Sequence, residues 1–188
     1  HNDPRNLKGS KTIKERVILL NLCKKIYFVS SWVEEKFFEG IDKNHYKNYS
    51  ILYPSIDHLK KFPKKENLIV FAGKLNSTKG FDKFTVALKK ILKKYVNWKA
   101  VAIGDEPREK IIFKHKNFHF TGWISHQEVL DYYKKSSITI VPSYWEEPFG
   151  RSSLEAASRG NAVILSNRGG LPETINNPIF LNKINPKE

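Results

Sequence analysis

Hydrophobic positions recur in two rhythms along this chain. Short apolar runs, rich in β-branched and aromatic residues, occupy 26–29, 50–53, 68–72, 98–103, 118–121, 137–141 and 162–165. Each predicts a strand. Between them, helices are expected over 10–24, 31–38, 79–95, 107–113, 125–135 and 151–159, and in 10–24 and 79–95 apolar residues return every three or four positions. That spacing puts them on one side of a helix. In 79–95 the stripe is Phe84, Leu88, Ile91 and Leu92. Punctuation agrees: Ser30-Ser31 offers an N-cap, Gly40 a helix stop, and Ser125 with Glu128 a capping box.

Strands alternating with helices predict an α/β fold, a doubly wound parallel sheet with helices on both faces. Such a sheet binds ligands at the carboxyl ends of its strands. Here each end carries a distinctive loop: Gly73-Lys74, Gly104-Asp105, Gly122-Trp123, Pro142-Ser143 and Ser166-Asn167. Pro54, Pro63 and a cluster of lysines separate the first apolar block from the rest. The expected plan is therefore a first domain over 1–54, a linker over 55–66 and a second domain over 67–188.

The chain has 188 residues, 40% hydrophobic and 13% aromatic, enough for one good core and part of another. No apolar run approaches the roughly 18 residues that a spanning helix needs. Residues 1–16 are polar and charged, and predict no secretory leader. Cys23 is the single cysteine, so no disulfide framework is expected, and a reducing, cytoplasmic setting fits. With no methionine, even at position 1, the chain is expected to be a piece of a longer protein, cut inside a domain. Net charge is +14, carried mostly by lysines such as Lys89, Lys90, Lys93 and Lys94 on predicted helix faces. That favours a solvated basic surface, with contact to an acidic membrane or attraction of an anionic substrate as an accessory role. No arginine-rich patch or nucleic-acid motif is present, and nucleic acid is not the expected partner.

The chemistry concentrates in Ser143 to Glu155. Pro142 breaks a strand, Gly150 permits a sharp turn, and a helix starts at Arg151. A helix N-terminus offers unpaired N–H groups and partial positive charge to phosphate or sugar oxygens. Glu147 precedes that helix and Glu155 lies within it; a carboxylate can accept both hydroxyls of a cis-diol. The loop from Gly73 to Gly80 holds Lys74 and Lys79, a pair able to clamp a diphosphate, though Thr78 and Gly80 break the P-loop pattern. His115 and His119 straddle a predicted helix end and a strand, so they make no metal site, and no metal is expected.

The run Glu147-Pro-Phe-Gly to Leu-Glu155 resembles the paired-glutamate motif of the family 4 retaining glycosyltransferases of the group 1 type. Glu155-Ala-Ala-Ser-Arg-Gly160 and Asn167-Arg-Gly-Gly-Leu-Pro-Glu173 follow in order, so the resemblance spans roughly 28–173. It implies the GT-B fold, here mainly its Rossmann-like carboxyl-terminal, donor-binding domain with a remnant of the amino-terminal one. It also implies transfer of a sugar, with retention, from a nucleotide-diphosphate sugar to a glycan or lipid-linked acceptor, in cell-envelope polysaccharide synthesis. Glu147 is expected to hold sugar hydroxyls, with Lys79 and Lys74 on the diphosphate and His1 beside the donor sugar. Gly73, Gly104, Asp105, Trp123, Phe149, Gly150, Arg151 and Glu155 are expected to bind the donor, Glu155 through the ribose. Two departures stand out: Lys74 replaces the family's arginine, and Glu106 its second glycine in the turn after 103. Other expectations for such a fold are a nucleotide-sugar epimerase or a phosphorylase; a non-catalytic basic module is a third.

Overall fold

The computed structural model describes residues 3–181. The chain opens with α1 (Ile13–Leu22), β1 (Ile26–Phe28), α2 (Ser31–Phe38) and β2 (Tyr49–Ile51). Thr12 and Glu15 form a capping box on α1, and Ser30 caps α2. Strands β1 and β2 pair in parallel over a small aromatic core. Phe28 lies 5.1 Å from Phe37, and Phe38 lies 4.6 Å from Tyr49, ring to ring. Edge and tilted contacts of this kind suit the charge distribution of aromatic rings.

After an irregular stretch come β3 (Glu66–Ala72), α3 (Phe81–Lys94), β4 (Lys99–Ile103), β5 (Phe118–Gly122), α4 (His126–Lys135), β6 (Ser136–Val141), α5 (Arg151–Ser158), β7 (Ala162–Ser166) and β8 (Ile179–Leu181). The last six strands form one sheet in the order β5-β4-β3-β6-β7-β8, parallel throughout. This is the doubly wound α/β sheet that alternation predicts. Successive residues of β3 and β4 point to opposite faces and build two cores. Ile69, Phe71, Ala100 and Ala102 meet Phe81, Phe84, Leu88 and Leu92 of α3. Leu68, Val70, Val101 and Ile103 share the other core with Leu130 and Tyr133 of α4 and Ala156 of α5.

One predicted element is absent. Residues 107–113 form no helix. Arg108 folds back on Glu106, its Nε 2.7 Å from Oε1, and Glu109 accepts from Ser77 N at 3.1 Å. Ile111 and Phe113 then pack under α3 while Lys110, Ile112 and Lys114 stay exposed. That alternation suits an extended segment, and tertiary packing overrides the expected helix. Short elements escape the sequence pattern, among them β8 and the 3-10 turn Leu171–Glu173.

The expected linker is strapped down. The Arg159 guanidinium donates to Asp57 O, and Lys65 Nζ donates to Tyr133 O (3.0 Å), Lys134 O (3.1 Å) and Arg159 O (2.6 Å). These are terminal carbonyls of α4 and α5, where orphan acceptors and the negative dipole end favour a cation. Burial lowers the Lys65 pKa. Lys65→Ala is expected to destabilise the chain by about 1–3 kcal/mol in urea unfolding, because the carbonyls lose a charged donor. Lys64→Ala, at an exposed neighbour, is expected to change little.

Candidate functional site

Strands β3 and β6 are neighbours in the sheet, yet α3 leaves β3 for one face and α5 leaves β6 for the other. The chain connections therefore diverge above their carboxyl ends, and a crevice opens there. It is a cavity of about 560 Å³, lined by Ala72, Gly73, Lys79, Pro142, Ser143, Glu147, Phe149, Gly150 and Arg151. Val29 and Pro54, which follow β1 and β2, add to its wall.

Glu147 stands at the centre. Its Oε1 accepts from Ser143 Oγ at 2.8 Å and pairs with the Lys79 ammonium. The carboxylate is mostly enclosed and Lys79 about one-third exposed. Its loop is held through the backbone. Tyr144 N and Trp145 N donate to Thr78 O at 2.9 and 3.1 Å, and Gly170 N donates to Glu147 O at 2.6 Å. Ser30 Oγ, from the start of α2, donates to Pro148 O at 2.6 Å.

Gly150 sits at the N-cap of α5 with φ 102°, where a side chain would be strained. A Cβ there would also lie 2.3 Å from Leu171 Cδ2. The consequence is that no side chain caps α5. Its first-turn N–H groups face the cavity wall formed by Gly150, Arg151 and Ser152. Gly104 has a packing constraint of its own. A Cβ on it would meet Gly73 O at 2.1 Å, so the residue is small because two strand-end loops cross there.

Lys79 owes its position to Asn76. The Asn76 Oδ1 accepts from Lys79 N and from Thr78 Oγ1, both at 3.0 Å, and its Nδ2 donates to Glu106 Oε2 at 3.1 Å. Arg108 holds the Glu106 carboxyl down to about 2 against the opposing effect of burial, with Asn76 adding to the lowering. Glu106, where the family has glycine, thus braces the loop that carries Lys79. Lys74 is exposed, makes no ion pair among the described residues, and does not line the cavity.

Glu155 is nearly buried on α5, outside the cavity lining. Its Oε1 lies 3.1 Å from His126 Nε2 and 3.5 Å from an Arg151 guanidinium nitrogen. Phe149 is also buried, its ring 6.0 Å from that of Tyr53, so it presents backbone more than ring. Trp123 is 81% exposed beyond the end of β5, which leaves it no packing role. Asp105 is exposed, and its carbonyl accepts from Leu75 N at 3.4 Å. His1 lies outside the described residues. Among the described residues, no group of three or more His, Cys, Asp or Glu is placed to hold a metal ion.

Sequence reasoning gave no site role to Asn76, Ser143, His126 or Ser30. Only a small polar residue beside a glycine-bearing loop could have hinted at the first. It placed Glu173 in a motif without giving it a role. In the structure Glu173 accepts from Ser31 N at 2.7 Å, Trp32 N at 3.0 Å, Tyr53 OH at 3.0 Å and Ser31 Oγ. It therefore caps α2 from the far end of the chain. Burial alone would raise this carboxyl, but the donors of Ser31, Trp32 and Tyr53 outweigh it and hold the pKa below 4.5. Burial, then the Glu173 carboxylate, raises the Tyr53 phenol.

Comparison with known proteins bears on family and fold. Residues 54–183 match the family model described as glycosyl transferases group 1. A 2-deoxystreptamine N-acetyl-D-glucosaminyltransferase of Niallia circulans is 30% identical over 137 residues, covering 69% of this chain and 35% of its own length. The chain thus spans about a third of that relative. Among solved structures, the C-terminal domain of a group 1 glycosyl transferase from Francisella tularensis is 32% identical. It superposes with TM-score 0.57 over 68% of this chain and 73% of its own. Anabaena HepE, solved with UDP-glucose, gives TM-score 0.71 over 94% of this chain and 55% of its own, at 14% identity, a likeness of fold.

The Glu173 cap has a pH signature. Its folded pKa is lower than 4.5, so its stabilising contribution is complete above that value and fades as pH falls through the lower folded one. Glu173→Ala is expected to cost about 1–2 kcal/mol near neutral pH, in the range of a lost cap. It is also expected to flatten the parent's loss of stability below pH 4.5, measured by urea unfolding across that window. An unchanged acid slope in the variant would count against the cap.

Proposed function

The chain belongs to the glycosyl transferases group 1 family and has its Rossmann-like GT-B fold; from that premise, we propose that it is the donor-binding half of a family 4 retaining glycosyltransferase. The observation that carries this reading is one cavity, at the divergence of β3 and β6, in which Lys79, Glu147 and the uncapped start of α5 stand together. A nucleotide-diphosphate sugar offers matching groups: phosphates for the cation and the N–H groups, hydroxyls for the carboxylate.

In this reading the Lys79–Glu147 pair opens when the donor enters. Phosphate oxygens take Lys79 and a sugar hydroxyl takes Glu147, so each charge exchanges one partner for another. The bond from the anomeric carbon to the diphosphate oxygen breaks, and the acceptor hydroxyl attaches to that carbon on the same face. The acceptor's proton leaves with the departing diphosphate. Lys79 and the α5 N-terminus meet the charge that develops on the leaving group, in place before reaction and without reorganisation. Glu155 accepts from the ribose diol, with Arg151 and His126 orienting it; Trp123, exposed at the rim, is placed for the base. Lys74 supplies charge from the periphery. The acceptor is a glycan or a lipid-linked sugar bound largely by parts of the protein outside this chain. We place the reaction in the cytoplasm, consistent with the single unpaired cysteine.

Titrating UDP-, GDP- and ADP-sugars against the purified chain tests the reading and identifies the base. With the best nucleotide, Glu155→Ala is expected to weaken binding about ten- to hundredfold, the effect of roughly 1.5–3 kcal/mol for a lost charge-assisted bond. Lys79→Ala is expected to weaken the diphosphate more than Lys74→Ala does, and to leave the bare nucleoside unaffected. If nucleoside and diphosphate affinities fall together, the loop shapes the fold and does not grip phosphate.

The cationic groups also predict independence from divalent metal. Nucleotide affinity is expected to be equal with chelator and with magnesium or manganese, by calorimetry. A tenfold loss on chelation would falsify that assignment.

A further inference from the structure

One face of the six-stranded sheet is covered by α3 and by residues 110–116, and the outer side of this cover is cationic. Phe81, Phe84, Leu88 and Leu92 turn inward from α3. At 100° per residue Val86, Lys93 and Lys94 lie on the opposite side and Lys89 on its flank, all exposed. Beside it, Ile111 and Phe113 enter the same core, which leaves Lys110, Ile112, Lys114 and Lys116 exposed. Asn117 locks the two parts into one surface: its Nδ2 donates to Val96 O at 2.8 Å and Trp98 O at 3.1 Å, in the turn after α3. No aspartate or glutamate occurs in 83–104 or in 110–117. The acids that border these stretches are Asp82, paired with Lys83, the exposed Asp105 in the loop after β4, and Glu109, which accepts from Ser77.

We propose that this face docks on an anionic lipid bilayer. The charges are lysines, compact and strongly hydrated, which suit attraction to a diffuse sheet of headgroup charge; arginines would suit bidentate grips on single phosphates. Exposed apolar groups lie among them: Ile112 is 79% and Val96 63% accessible. They reach the depth of the headgroups but bury little. The apolar side of α3 is already committed to the sheet, so the helix lies on the membrane and does not insert. Attachment is therefore electrostatic and reversible. The strands run along this face, so the cavity at their carboxyl ends opens at its rim and stays accessible. The surface is independent of the donor reading, and nucleotide titration tests the two separately.

The test is co-sedimentation of the chain with phosphatidylcholine vesicles, with and without phosphatidylglycerol, at low and high salt. Binding is expected only with phosphatidylglycerol and is expected to be lost as salt screens the surface. The triple variant Lys89→Glu/Lys93→Glu/Lys114→Glu is expected to bind these vesicles at least about tenfold more weakly. Its unfolding midpoint and nucleotide affinity are expected to match the parent's. Equal binding to both vesicle types overturns the proposal, as does a variant that binds like the parent. So does absence of vesicle binding, and a preference for duplex DNA over the anionic vesicles would assign the face to nucleic acid.

Discussion

Pairing of β3 with β6 is the constraint on which the rest of the structure depends. The two strands are far apart in sequence, and α3, β4, β5 and α4 all lie between them. Once they pair, the helix that follows each must cross to a different face, because a right-handed crossover permits nothing else in this order. The crevice left between the diverging connections lies at the carboxyl end of the β3–β6 seam. Lys79 and Glu147 arrive there because each follows one of these two strands.

The crevice would be shapeless without the contacts that fix its loops. The Glu147 loop is held by Thr78 from the β3 side, by Gly170 from the β7 side and by Ser30 from α2. The Lys79 loop is held by Asn76, which is itself held by Glu106. Each clamp satisfies a backbone or buried side-chain group that would otherwise be costly to enclose. The small β1–β2 unit takes part through Ser30, Ser31 and Tyr53, so the donor loop and the first block of the chain are mechanically joined.

Charge is distributed by the same logic. Acidic residues are largely engaged in local structure: Glu15 and Glu128 in capping boxes, Glu106 and Glu109 on the 73–80 loop, Glu173 on α2. Lysines are left for the surfaces. A net charge of +14 is therefore not spread evenly, and the cover of one sheet face carries stretches of lysines with no acid among them. The site itself is close to balanced, with Lys79 against Glu147 and Arg151 and His126 about Glu155.

The sequence by itself determined the fold class and the identity of the loops at the strand ends. Apolar periodicity is local, and seven strands and five helices follow it closely because their propensities and their packing agree. The order of Glu147, Gly150 and Glu155 was legible for the same reason: a strand, a break, a glycine and a helix are all short-range signals. Tertiary structure decided what depends on residues distant in the chain. Residues 107–113 read as a helix, but Ile111 and Phe113 gain more under α3 as an extended strip. Gly104 read as an opening for a ligand, and spacing could not show that the Gly73 backbone crosses beside it. Glu173 carried no visible task, since its partners, Ser31 and Trp32, lie about 140 positions away. A hydrogen bond between such distant residues leaves no periodic trace, because spacing along the chain records only what neighbours share.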